Sequence, residues 1–222
     1  MGFYPLGFGC RRGKTTPVMN EPVVRIRIEL EGTDPQVWRS VDVPLSSTLT
    51  ALHDIIQVTM RWQGAHMFEF VVGDQVYGEP YPDDSAWDRK VLQAKSIRLK
   101  TLVERGVDRF LYVYDFGDNW RHHIILDSVR QGEDHTDYPA FVGGARRAPP
   151  DDVGGISGFE AFLEAVTDPR HEDHDQMLEW NDGSFDPEDI DERDIRMIIG
   201  NFAARRRGPL LRHRGSGRTR EQ

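Results

Sequence analysis

The chain has 222 residues, with 28 Lys and Arg against 37 Asp and Glu, one cysteine and a formal charge of −9. That length can bury a sizeable core, while the lone Cys10 excludes an internal disulfide and any cysteine-based zinc cage. No apolar run approaches the length of a membrane span or of a signal-peptide core, so a cytoplasmic protein without a membrane partner is expected.

Residues 1–20 carry +3 and lack hydrophobic periodicity, which predicts a flexible basic extension. Met19 stands just before the first strand signal and is expected to serve as an alternative start of translation. Val24, Ile26, Ile28 and Leu30 alternate with charged residues, the period of a half-buried strand. Gly32, Asp34 and Pro35 make a turn into a second strand through Val37, Val41 and Val43, closed by Pro44. Thr48 caps a helix with Leu49, Leu52, Ile55, Ile56 and Met60 at helical spacing. Residues 67–72 read as a third strand, and Tyr77 lies near a short fourth.

Residues 78–90 form a charged, proline-containing loop, and order resumes at Ile97, Leu99 and Leu102 as strand or short helix. Phe110–Tyr114 and Trp120–Val129 are strands joined by the turn residues Gly117, Asp118 and Asn119. Residues 131–156 look irregular. Three helices follow, each with a start signal: a capping box at Ser157 and Glu160, then Asp168-Pro169, then Asp186-Pro187. Strands first and helices last predict an α+β fold. The expected layout is a β-grasp- or roll-like mixed sheet from the N-terminal half, helices packed on it, and a helical C-terminal part. The domain is expected over 21–203 with a charge of −18, followed by a disordered arginine-rich tail over 204–222 carrying +6.

Several stretches, IRIELEGTDPQVWRSVDVP, LTALHDIIQVTMRWQGAHMFEF, DRFLYVYDFGDNWRHHIIL, YPAFVGGARRAPPDDVGG and DPRHEDHDQMLEWNDGSFDPEDID, occur in one order over residues 22–195. Together they resemble the plasmid pRiA4b ORF-3-like family, also labelled as passenger proteins of the insertion element IS1096. The resemblance implies that family's α+β fold and a link to mobile elements. It does not carry a resolvase activity over, because the body is acidic and lacks the nucleophilic serine with supporting arginines. The family pattern implies cysteine where this chain has Phe141 and Ala148, so a thiolate site is not carried over either.

Chemistry concentrates in Asp115, Asp118, His122 and His123, where carboxylates on a hairpin turn approach histidines on the returning strand. Asp and His suit a divalent metal or general acid–base work. His122 and His123 must face opposite sides of that strand. The family resemblance places weight on Asp115, Gly117, Asp118, Trp120 and His122, and matches His66 to a family histidine; Asp115, Asp118, His122 and His66 are the catalytic candidates. Tight-turn chemistry by itself explains Gly117, Asp118 and Asn119.

His171 and His174 share a helical face and, with Asp118 and His122, are the weaker metal candidates. A solvated acidic face explains them as well. Asp151-Asp152 precede a helix start, where paired carboxylates repel an anion, and read as a structured loop.

Three functional readings follow. The first is a binding or adaptor domain whose acidic surface docks a basic protein or peptide. The second is a metal-dependent hydrolase using the Asp/His cluster; a divalent cation is the implied cofactor, though a metal is not the favoured expectation. The third is a nucleic-acid accessory protein acting only through Arg205, Arg206, Arg207, Arg212 and Arg214 of the tail. No complete catalytic set is legible, so the first reading ranks highest.

Overall fold

The computed structural model describes residues 21–80 and 90–213, with side chains to 206. The basic extension, with Cys10 and Met19, lies outside the described residues, as do 81–89 of the charged loop and Arg214.

The architecture is α+β, as the element order predicts. Eight strands form one sheet in the order β5-β4-β3-β6-β7-β1-β2-β8. The strands are β1 (Pro22–Leu30), β2 (Trp38–Pro44), β3 (Phe68–Val72), β4 (Gln75–Gly78), β5 (Val91–Gln93), β6 (Arg109–Tyr114), β7 (Trp120–Gln131) and β8 (Ala140–Ala145). The helices are α1 (Leu49–Met60), α2 (Leu99–Glu104), α3 (Gly155–Thr167), α4 (His174–Trp180) and α5 (Glu192–His213). Pairing is antiparallel except between β4 and β5.

The alternation in β1 buries Val24, Ile26, Ile28 and Leu30, and α1 buries the five apolar positions its spacing aligned. Phe159, Phe162, Ile195 and Ile199 from α3 and α5 join the same hydrophobic cluster. Thr48 caps α1 as expected, its side chain accepting from the Ala51 amide at 3.2 Å. The stretch around Leu99 and Leu102 resolves as helix α2.

The helix starts at the C-terminal end differ from those the sequence predicts. α3 is capped by Gly154, one turn before Ser157, so the Ser157/Glu160 box does not form its terminus. Asp168 ends α3, and its carboxylate accepts from the Arg170 amide at 3.0 Å; α4 begins only at His174, where Met177 and Leu178 reach the core. Asp186 likewise turns its carboxylate onto the Glu188 amide, and α5 starts at Glu192. In both places the aspartate satisfies a local turn instead of a helix, the competition that short acidic side chains impose on their own backbone.

The segment expected to be irregular contains edge strand β8, paired with β2. Its Gly143 and Gly144 resemble strand breakers. A Cβ at Gly144 would stand 2.8 Å from both Trp38 O and Arg39 Cδ, so the glycine marks a close approach within the sheet. At the other end, α5 runs on into the segment expected to be a tail. Arg206 donates to Ser47 Oγ at 2.7 Å and Ser46 Oγ at 2.9 Å, and pairs with Glu21 at 3.2 Å.

Candidate functional site

Three connections meet beside the end of β6. Residues 61–67 link α1 to β3, 115–119 link β6 to β7, and 146–154 lead into α3. Trp62 Nε1 donates to Pro149 O at 2.8 Å, and Gln63 N donates to Asp151 Oδ2 at 3.3 Å, tying the first connection to the third. Asp118 Oδ2 accepts from Gly154 N at 3.0 Å, tying the second to the third. A Cβ on Gly155 would lie 2.7 Å from Asp118 O, so only glycine permits that closeness. The Asp115 amide donates to Met67 O at 2.9 Å and sets the turn against the residue after His66.

These ties bring His66, Asp115 and Asp152 together. His66 Nε2 lies 3.0 Å from Asp152 Oδ1 and 3.7 Å from Asp115 Oδ2, and one ligand atom from each of the three residues falls within 4.8 Å of the others. Asp115 is buried, with Oδ1 engaged by the Gly117 amide at 2.9 Å, which leaves Oδ2 to face His66. Asp115 and Asp152 both sit on left-handed backbone, with φ of 52° and 62°. Strained conformations of this kind persist where the surroundings hold them.

Asp151 stands at the edge of the cluster. Burial pushes its carboxyl pKa up and the neighbouring Asp152 and Asp115 add to that rise, while the Gln63 amide and His66 oppose it. Its Oδ1 is buried without a hydrogen-bond partner, and His66 Nε2 is likewise buried without a bond of good geometry. The Tyr114 ring closes the inner wall 5.8 Å from the His66 ring. Burial drives its phenol pKa up to about 12.

Of the sequence candidates, His66 and Asp115 enter the cluster. Asp118 instead braces the Gly154 loop, and His122 lies wholly in the core. The His122 ring packs 5.4 Å from those of Trp62 and Tyr112, and both its nitrogens lack partners. Burial, with the charge of Arg39 added, lowers its pKa to about 3; the carbonyls of Trp120 and Tyr112 pull the other way without reaching bonding geometry. A ring series His66–Tyr114–Trp62–His122 connects the two histidines, so they do not share one pocket. His123 turns outward toward Glu31, as strand alternation requires.

His171 and His174 sit apart from the cluster and do not chelate together. His174 Nδ1 lies 2.9 Å from Ala165 O, and His171 Nδ1 accepts from the Asp173 amide at 3.1 Å. His171 lines a groove of about 520 Å³ between α3 and α4. Phe162, Met177 and Trp180 supply its apolar wall, and Asp152, Glu164, Glu172 and Asp173 line it without a Lys or Arg. Asp152 therefore belongs to both the groove and the cluster. Arg205 is exposed at the end of the described side chains, while Arg207 and Arg212 lie on α5 beyond them.

Sequence reasoning missed Asp152 and Asp151 as partners of His66. The one available signal was a pair of adjacent carboxylates in a Pro- and Gly-rich connection. Only the Trp62 and Asp118 anchors place that connection over the turn.

Residues 22–194 match the model of the plasmid pRiA4b ORF-3-like protein family. The chain is 36% identical over 159 residues to the uncharacterized protein y4hQ of Sinorhizobium fredii, covering 71% of this chain and 80% of that one. It is also similar to the crystal structure of a protein of unknown function, MM3350, from Methanosarcina mazei Go1. The TM-score is 0.71 at 31% identity, over 79% of this chain and 97% of that chain. Among the described residues, no helix is long and apolar enough to cross a membrane.

Proposed function

The chain belongs to the plasmid pRiA4b ORF-3-like family, and from that premise we propose a function that depends on a divalent cation held by His66, Asp115 and Asp152. The observation carrying this reading is the convergence of one imidazole nitrogen and two carboxylate oxygens within 4.8 Å. Ligand atoms about 2.0–2.2 Å from one ion stand roughly 3–4 Å apart, which matches the 3.0 and 3.7 Å separations around His66. The unpartnered oxygen of Asp151 adds a further acceptor at the edge. A nitrogen-plus-carboxylate set suits Zn²⁺, Mn²⁺ or Fe²⁺ better than a soft thiophilic ion. Three protein ligands leave positions for water, and a cation there lowers the pKa of that water. Metal-assisted hydrolysis is the reaction class this reading admits.

The test is cation binding by chelator-treated, desalted protein, read by calorimetry and by elemental analysis after dialysis against Zn²⁺ or Mn²⁺. One equivalent is expected in wild type and in His123→Gln, whose side chain faces Glu31. Loss of roughly a hundredfold or more in affinity is expected in His66→Ala and Asp115→Asn. Equal stoichiometry and affinity in wild type, His66→Ala and Asp115→Asn refutes the reading.

The groove between α3 and α4 favours a second reading, docking of a basic peptide that carries an apolar anchor. Four carboxylates and no cation line it, beside Phe162, Met177 and Trp180. An arginine-rich peptide with one Leu or Phe is expected to bind wild type and to bind Trp180→Ala at least tenfold more weakly. Binding equal in both proteins removes this docking mode.

A further inference from the structure

Arg39, on β2, is fully buried, and every acceptor it meets is a neutral carbonyl. Nε donates to Thr59 O at 2.8 Å. Nη1 faces the carbonyls of Trp38, Ala145 and Arg146 at 2.8, 3.1 and 2.8 Å. Nη2 has no acceptor among the described residues. Burial draws the pKa down to about 10, with no carboxylate to hold it up, so the guanidinium stays charged at neutral pH. An ion taken out of water without an opposite charge carries a large desolvation penalty.

Arg39 is among the residues that line a cavity of about 140 Å³. Arg61 and Arg147 line it too, together with the Asn181 amide and the apolar Phe185 and Ile190. Among the described residues, no carboxylate lines this cavity. Asp191, 3.5 Å from Arg61 and 3.2 Å from Arg147, holds the two arginines from outside it, and Asp194 adds a contact to Arg61 at 3.4 Å. The Arg61 and Arg147 side chains are 38% and 29% exposed, so they form the side that solvent reaches.

We infer that this cavity is a binding site for a small oxyanion, a phosphate or carboxylate group, with Arg39 as its buried counter-charge and Arg61 and Arg147 at its mouth. Guanidinium groups present planar donor forks that match paired oxygens, which selects oxyanions over chloride. The cavity has room for a small oxyanion such as inorganic phosphate or acetate. The surrounding body carries −18, so diffuse anion binding is disfavoured and saturable binding reports a local site. The cavity shares no lining residue with the His66 cluster, and the two readings stand or fall separately.

The experiment is calorimetric titration of metal-stripped protein with inorganic phosphate and, separately, with acetate, at ionic strength held constant with sodium chloride. One saturable site is expected for at least one ion, and the ion that binds identifies the ligand as phosphate-type or carboxylate-type. Arg147→Gln and Arg61→Gln, each checked for native circular dichroism, are expected to weaken binding about ten- to a hundredfold, the size of a lost charge-assisted hydrogen bond. Arg109→Gln, on an exposed position of β6, is expected to leave it unchanged. Absence of saturable heat with both ions, or unchanged affinity in both mouth variants, overturns the assignment. The outcome does not depend on a folded Arg39 variant.

Discussion

Replacing His122 with phenylalanine isolates one buried titratable group in the stability of the whole fold. The imidazole is wholly enclosed, and its pKa falls from 6.5 to about 3, chiefly through burial. A histidine whose folded pKa is depressed leaves the unfolded chain with more bound protons between those two values. Its effect on stability is therefore absent above pH 6.5 and grows as a loss while the pH falls toward 3. At pH 4.5 the loss expected from His122 is about 2–3 kcal/mol, taking 6.5 in the unfolded chain.

His53, buried against Phe68 with its pKa lowered to about 4, adds a loss in the same direction over the same window. Phenylalanine fills the space between Trp62 and Tyr112 and forfeits no hydrogen bond, because neither nitrogen of His122 has a partner. The variant is expected within about 1.5 kcal/mol of wild type at pH 7. At pH 4.5 it is expected to have gained about 2–3 kcal/mol relative to wild type. Urea unfolding followed by tryptophan fluorescence at both pH values measures this, and taking the difference between the proteins cancels all other titrations. A wild-type-minus-variant difference that is the same at pH 7 and pH 4.5 refutes the reasoning.

The remaining predictions concern packing, a buried polar link and the long helix. Gly144→Ala places a Cβ 2.8 Å from backbone and from Arg39, and is expected to destabilise by about 1–3 kcal/mol in urea melts. Gly143→Ala meets nothing within 4 Å and is expected to stay within ~0.5 kcal/mol, so equal effects contradict the close-approach explanation of β8. Tyr112 Oη accepts from Gln57 Nε2 at 2.9 Å and lies 2.7 Å from His53 Nδ1; Tyr112→Phe strands both buried partners and is expected to cost about 1–3 kcal/mol by thermal or urea unfolding. Truncation after Ala204 removes the Arg206 contacts to Ser46, Ser47 and Glu21 and is expected to cost no more than ~1 kcal/mol. If the arginines from 205 onward grip a polyanion, DNA binding by anisotropy weakens steeply between about 50 and 200 mM salt and vanishes on that truncation. Equal binding by the truncated chain excludes the mechanism.

Much of the scaffold was legible residue by residue. The period-two run from Val24 to Leu30 and the helical spacing from Leu49 to Met60 record which face each element buries, and that is a local property of the chain. Thr48 was readable as a cap for the same reason. The aspartates at 168 and 186 misled because one side chain can serve a helix end or a turn, and packing farther along decides between them. β8 was hidden because a glycine that signals a breaker locally becomes a requirement once Arg39 crosses beneath it. The hairpin offered Asp115, Asp118 and His122 as one chemical set, and the family resemblance added His66. It could not say which of them meet. Burial sent His122 into the core and a loop contact claimed Asp118, while Asp152 came to His66 from 86 positions away. Element identity is set by short-range periodicity, which the sequence alone contains. The meeting of distant charges is set by how three loops are anchored to one another, and that exists only once the sheet and helices have packed.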